Sequence, residues 1–296
     1  MIAVRLAESD GDLEAWRQVR MAVLPDERAQ TVEEMRTSKS ASSLYLLAVL
    51  DGRLAGSGVA DRSDLGGQGF LSPRVLPEVR RRGVGTALLR ELAGHLERLG
   101  YDRAGTILDD PGSLAFAERF GFREVDRDVE QVRTVGDEPW PEPPPGIEVV
   151  SLAERLELFE RAYDELALEA FRDFALDRPI EISLDDWRRE WQVWPEASFF
   201  ALADGELVGM AGLVRDDDHP QRAENSLSAV RRDWRRRGIA SLLKRTVLAW
   251  AADNGLRELY TWTQNGNAAM RAVNESLGYV TRSVGIRVRG RLPLAR

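Results

Sequence analysis

Two arginine-rich glycine turns carry the clearest chemistry in this chain: Arg80-Arg81-Arg82-Gly83-Val84-Gly85 and Arg235-Arg236-Arg237-Gly238-Ile239-Ala240. Glycine lets a backbone approach an anion closely, and guanidinium groups pair well with phosphate oxygens. A helix that begins at such a turn adds unpaired N–H groups and the positive end of its dipole. The residues are therefore suited to holding a phosphate or a diphosphate. Helices are indeed expected downstream, because Ala87, Leu88, Leu92, Leu96 and Leu99 in one copy, and Leu242, Leu243, Val247, Leu248 and Ala251 in the other, recur at helical spacing. Upstream, residues 70–77 and 226–232 each read as a strand followed by a short turn.

Three readings of the turn compete. A dinucleotide fingerprint fits poorly, since its third glycine would fall at Leu88, and a nucleotide P-loop fits worse, since no Gly-Lys-Ser/Thr follows. A plain helix start with solvated arginines is the third, and it is weakened by the recurrence of the turn in matched context.

The recurrence extends along the chain. Gly83 and Gly238, Gly85 and Ala240, and Gly100 and Gly255 are all 155 residues apart, so turn, helix and helix stop keep register. Asp51-Gly52 and Asp204-Gly205 read as hairpin turns between strand runs, and Phe120-Gly121-Phe122 pairs with Leu277-Gly278-Tyr279. Duplication explains this most simply. Between the copies, the prolines of residues 138–146 favour an extended spacer. We therefore expect an N-terminal domain at 1–136, a proline-rich linker at 137–146 and a C-terminal domain at 147–296.

Composition narrows the function classes. The chain has no cysteine, which excludes disulfides, thiolate metal sites and acyl-cysteine chemistry, and with His95 and His219 as its two histidines no histidine-built metal site is expected. A net charge of −8 argues against a general nucleic-acid binder despite the arginine runs, and fits a cationic partner slightly better. No run of about 20 apolar residues is present and the N-terminus lacks a secretory pattern, so no membrane association and a cytoplasmic location are expected.

An Arg-x-x-Gly-x-Gly/Ala turn after a strand ending in valine, followed by a helix and later by Leu/Phe-Gly-Phe/Tyr, resembles the GNAT superfamily of acyl-CoA N-acyltransferases. The resemblance covers both halves. It implies an α/β fold of two tandem domains, each a central mixed, mostly antiparallel sheet flanked by helices, with acetyl-CoA as the cofactor. By the same resemblance Arg80, Arg82, Gly83, Val84, Gly85 and Thr86 in one half, and Arg235, Arg237, Gly238, Ile239, Ala240 and Ser241 in the other, cradle the pyrophosphate. Val75 and Val230 bind the pantetheine arm through their backbone. Asn267 matches the family's helix-starting asparagine, either as a cofactor contact or as a simple N-cap; the first half has no asparagine there, and Asp110 ahead of Pro111 is its expected cap.

The implied reaction, acetyl transfer to a primary amine of a small molecule, requires a neutral amine. Removing the proton of an alkylamine at pH 7 costs around 4 kcal/mol, so a carboxylate near the thioester is wanted. Glu224, entering the central strand of the second half, is the candidate base; the first half offers Asp61 and Asp64. Where many relatives place an acidic tyrosine, this chain has Ala117 and Asn274, and Asn274 could donate a hydrogen bond but no proton. These residues point to catalysis in the C-terminal domain, with the N-terminal domain structural or cofactor-binding. Trp187 and Trp191 share a helix face as core or acceptor wall, and Glu169 and Asp173 could attract an ammonium group. A mycothiol synthase-like enzyme and a catalytically inactive CoA-binding sensor are the alternatives. A monomer or a homodimer is expected.

Overall fold

The structure is a computed structural model that describes residues 1–62, 67–173, 182–190 and 193–295. In chain order its elements are β1 (Ile2–Leu6), α1 (Asp10–Val23), α2 (Val32–Ser38), β2 (Leu44–Leu50), β3 (Arg53–Arg62), β4 (Gly69–Val75), α3 (Val84–Arg98), β5 (Arg103–Leu108), α4 (Pro111–Glu118) and β6 (Arg123–Thr134). There follow β7 (Ile147–Ser151), α5 (Leu158–Ala162), α6 (Leu168–Arg172), α7 (Leu184–Glu190), β8 (Phe199–Ala203), β9 (Glu206–Ala211), β10 (Leu213–Arg215), β11 (Arg222–Asn225), β12 (Ala229–Val230), α8 (Ile239–Asp253), β13 (Glu258–Gln264), α9 (Ala268–Ser276) and β14 (Val280–Arg291). They form two compact units, residues 1–128 with 285–296, and residues 129–284. The last twelve residues, expected with the second domain from sequence, group with the first unit because β14 pairs with β5 from Ile286↔Leu108 to Arg291↔Arg103.

In the first unit β1 to β4 form an antiparallel meander, β4 and β5 run parallel, and β14 closes the sheet beyond β5. The β2–β3 hairpin turns at Asp51-Gly52, both at positive φ (51° and 81°), the conformation that the Asp-Gly pair predicts. Helix α3 buries Val84, Leu88, Leu89, Leu92, Ala93 and Leu96 on this sheet. It lies so close to β3 that a Cβ on Gly56 would come within 2.5 Å of Arg74 O and 3.1 Å of Leu88, so only glycine permits the packing that fixes where the helix begins.

The second unit repeats the plan in two pieces. A four-stranded sheet has the order β12-β9-β8-β7, and apart from it β13, β11 and β10 lie side by side, β11 parallel to β13 and antiparallel to β10. Gly209 on β9 lies under α8 as Gly56 lies under α3, a Cβ there meeting Ile239 at 2.8 Å. Along α8 the core is apolar at Ile239, Leu243, Val247, Leu248 and Ala251 but is interrupted by the buried Lys244. No helix among the described residues is long and apolar enough to cross a membrane.

Candidate active site

Each arginine-rich turn has the same backbone. Arg81 and Arg236 adopt left-handed φ values of 64° and 61°, and Gly83 and Gly238 follow at 89° and 83° as the N-caps of α3 and α8. Neither cap supplies a side-chain hydrogen bond, so the first-turn N–H groups at Val84, Gly85 and Thr86, and at Ile239, Ala240 and Ser241, are left to a ligand or solvent. Val84 and Ile239 are buried and anchor the helix starts, whereas Arg80, Arg82, Gly83, Arg235, Arg237 and Gly238 are exposed. Every one of these residues thus gathers at one anion-ready helix terminus per unit, and no Cβ neighbour lies within 4 Å of Gly238. The residues present fit the diphosphate of coenzyme A.

Beside each turn a parallel strand pair opens. In the first unit the β4–β5 ladder holds only Gly69↔Ala104 and Phe70↔Gly105, although β4 continues to Val75 and β5 to Leu108. In the second unit β11 pairs with β13 from Arg222↔Glu258 to Glu224↔Tyr260, and the chain then crosses to β12, which pairs with β9 instead. The carbonyls of Val75 and Val230 stand at the mouths of these openings. They accept from Arg80 Nε at 3.3 Å and from Arg235 Nε at 2.9 Å.

Two matching ranges fit the Acetyltransferase (GNAT) family model, residues 12–122 and 159–279. The chain belongs to the GNAT family. A mycothiol acetyltransferase of Saccharomonospora viridis is 30% identical over 235 residues, covering 74% of each chain. One of Salinispora arenicola is 27% identical over 255 residues, covering 84% of this chain and 82% of that one. Among solved structures, a tandem GNAT protein from the clavulanic acid biosynthesis pathway matches 100% of this chain and 99% of its own with a TM-score of 0.76 at 17% identity. A GCN5-related N-acetyltransferase from Sphaerobacter thermophilus matches 98% of this chain and 95% of its own with a TM-score of 0.73 at 22% identity. The protein is a tandem-GNAT acetyltransferase that uses acetyl-CoA as its acetyl donor and an amine as acceptor.

Within this GNAT frame the remaining site residues are placed as follows. Glu224 is half-buried on β11 and occupies the last paired position, opposite Tyr260, before the strands part. Asn274 is fully buried, and one of the two N–H groups of its Nδ2 donates to Gln131 Oε1 at 2.9 Å. Asn267 caps α9, its Oδ1 accepting from Met270 N at 3.1 Å, and Asp110 caps α4 by accepting from Ser113 N at 3.0 Å. Trp187 is core, packed among Phe159, Tyr163 and Phe171, while Trp191 and Asp64 lie outside the described residues. Asp61 is taken up by the hydroxyls of Ser40, Ser42 and Ser43, which removes it as a free base in the first unit.

Glu169 and Asp173 face cations already present rather than an open ammonium site. Asp173 bridges the guanidinium groups of Arg232 and Arg235, the latter at 2.6 Å, and Glu169 Oε1 accepts from the backbone N–H of Arg232 at 2.8 Å. The turn of the second unit is thus held by carboxylates on α6 and just after it; in the first unit the contact is a single Arg82–Asp51 pair at 3.0 Å. Periodicity carries no sign of this link, because 59 and 62 residues separate its partners.

The first unit has an unanticipated charged pair. Continuing the Phe70↔Gly105 register places Arg74 level with Asp109 where the strands have separated. Burial, with Glu27 close by, pushes the Asp109 carboxyl up to about 6, and burial beside Arg20 lowers Arg74 to about 10.

Proposed function

We propose that acetyl transfer takes place in the second unit, on a primary amine of a small molecule, with Glu224 as the general base. The observation that carries this reading is Glu224 at the last β11–β13 pairing, after which the chain crosses to Val230 on β12 and the Arg235–Ser241 turn. Acetyl-CoA, when bound, supplies an activated thioester. The chain's part is to bind and to move a proton. The N–H groups of Ile239, Ala240 and Ser241, with Arg235 and Arg237, hold the diphosphate, and the Val230 backbone orients the pantetheine arm. Glu224 takes the proton of the amine, directly or through one water, which offsets the roughly 4 kcal/mol cost of the neutral amine. An amide is no acid, so Asn274 supplies no proton and the departing sulfur draws its proton from water.

The first unit carries the same anion-binding turn through Arg80, Arg82, Gly83, Val84, Gly85 and Thr86, with Val75 beside it; at the rung of Glu224 it has Phe70, and the carboxylate at its opening, Asp109, stands level with Arg74. Its role in this reading is structural or cofactor-binding. In sequence the proline-rich segment 137–146 separates the duplicated halves. A narrower reading, a mycothiol-type amine as acceptor, is supported by the names of the relatives at 30% and 27% identity.

The test is thiol release from acetyl-CoA across a panel of small primary amines, including a cysteinyl amino sugar. The wild-type protein turns over at least one amine, Glu224→Gln loses about 10²–10⁴-fold in kcat/KM, and Gly83→Val retains activity that Gly238→Val loses. Turnover that is unchanged in Glu224→Gln sinks the base assignment. Tight acetyl-CoA binding with no turnover on any amine identifies a CoA-binding sensor instead.

A further inference from the structure

The duplicated chain carries its own comparison. Gly105 and Tyr260 are separated by the same 155 residues as Gly83 and Gly238, and Phe70 pairs with Gly105 where Glu224 pairs with Tyr260. Phe70 therefore stands at the position of Glu224, and the next residue, Leu71, at that of Asn225. The antiparallel neighbours agree, since Leu71 pairs with Ala60 and Asn225 with Leu213, two partners 153 residues apart like Gly56 and Gly209. On the helices, Leu89 corresponds to Lys244, and after the paired glycines Phe122 corresponds to Tyr279.

In the first unit Leu71, Leu89 and Phe122 are buried members of one apolar core. In the second unit Asn225, Lys244 and Tyr279 are equally buried and bonded to one another. Asn225 Nδ2 donates to the carbonyl of Tyr260 at 3.0 Å and to Tyr279 Oη at 3.1 Å, Lys244 Nζ donates to Asn225 Oδ1 at 3.4 Å, and the ammonium lies 5.5 Å from the centre of the Tyr279 ring. Three positions that are apolar in the first unit are polar together in the unit that also carries Glu224. No ion pair between Lys244 and a carboxylate occurs among the described residues, so its burial is poorly compensated and is not explained by stability.

We propose that Lys244, Asn225 and Tyr279 form a positioning network that fixes the parting of β11 from β13 and thereby holds Glu224 at the acyl site. The inference rests on the assignment of Glu224 as base in the second unit. An ammonium group can only donate, so Lys244 turns the Asn225 amide with its oxygen toward α8 and its nitrogen toward the Tyr260 carbonyl. That carbonyl belongs to the residue paired with Glu224, and Asn225 ties it down at the last rung before the strands separate. An apolar side chain at 244 removes the donor to Oδ1 and leaves the amide to the Tyr260 carbonyl and Tyr279 Oη, so the last rung is held less firmly.

The experiment compares full-length Lys244→Met with a triple variant, Asn225→Leu with Lys244→Leu and Tyr279→Phe, which copies the side chains of the first unit's folded core and covers failure of the single variant to fold. Thermal midpoint and hydrogen exchange are read on ligand-free protein, the acetyl-CoA dissociation constant by calorimetry, and kcat and KM on the panel amine with the highest wild-type kcat/KM. The expected result is a midpoint at or above wild type, acetyl-CoA affinity within twofold, kcat lower by at least tenfold, and faster exchange confined to residues 222–225 and 258–261. In a Glu224→Gln background the same substitutions cost no further activity. A kcat within twofold of wild type, unchanged exchange at those strands, or a loss that multiplies with that of Glu224→Gln overturns the proposal. If Glu224→Gln alone leaves kcat intact, the base assignment fails, while the exchange data still decide whether the network fixes the strands.

Discussion

Replacing Lys244 by methionine makes a stability prediction that is independent of any substrate. Burial lowers the Lys244 ammonium from 10.5 to about 8. A base whose folded-state value lies below its unfolded value destabilises the fold while it is charged in both states. The penalty is therefore fully present below pH 8 and fades as pH rises from about 8 to 10.5, where the unfolded chain holds the extra proton. About 2.5 units correspond to roughly 3 kcal/mol near pH 7, of which about 2 kcal/mol is gone by pH 9.5. Tyr279, against the ammonium, is pushed up to about 12 by burial, outside this window. Methionine also forfeits the hydrogen bond to Asn225, worth about 1 kcal/mol at every pH. Urea unfolding at pH 7, 8.2 and 9.5 should thus show Lys244→Met more stable than wild type at pH 7, with the advantage shrinking by about 2 kcal/mol at pH 9.5. A stability difference that stays constant over this range refutes a buried, desolvated ammonium at position 244.

Three further outcomes are expected. Gly238→Val places a β-branched residue at a φ of 83°, a conformation that costs L-residues roughly 1–2 kcal/mol, so calorimetry should show loss of acetyl-CoA binding in the second unit with only a modest drop in thermal midpoint. Asp173→Asn frees Arg232 and Arg235 from a half-exposed bridge worth at most about 1 kcal/mol, and acetyl-CoA should bind up to about fivefold more tightly, with the gain vanishing in high salt. Asp109 has a folded-state value raised to about 6, so its ionisation disfavours the fold; Asp109→Asn should be more stable than wild type above pH 6 and lose that advantage as pH falls toward 4, as read by thermal midpoints.

Much of this molecule was legible because it was written twice. The interval of 155 residues located both turns, both helices and both helix stops, and the Asp-Gly pairs fixed the hairpins, all through local backbone rules that need no distant partner. Residues whose surroundings depend on distant contacts were not readable in the same way. Asp173 looked like a lure for an ammonium until the fold brought Arg232 and Arg235 to it. Asn274 gave no hint of Gln131, 143 residues away, which accepts one of its amide N–H groups. Lys244 gave a signal that was passed over: a lysine where an apolar helix stripe and its duplicate, Leu89, both call for an apolar residue. Comparing the two copies position by position, rather than motif by motif, would have found it.

The membership of the last twelve residues in the first unit has a consequence for how the protein is born. Residues 1–128 leave the ribosome early, yet the strand that completes their sheet, 285–291, emerges only after the entire second unit. At roughly 5–20 residues per second the early segment waits for about 8–30 s with the edge of β5 unpaired. An open strand edge of that kind is a template for illegitimate pairing with another nascent chain. Residues 285–291 thus work as a late closure of the first-made half, and a truncation that removes them would damage the part of the protein synthesised first.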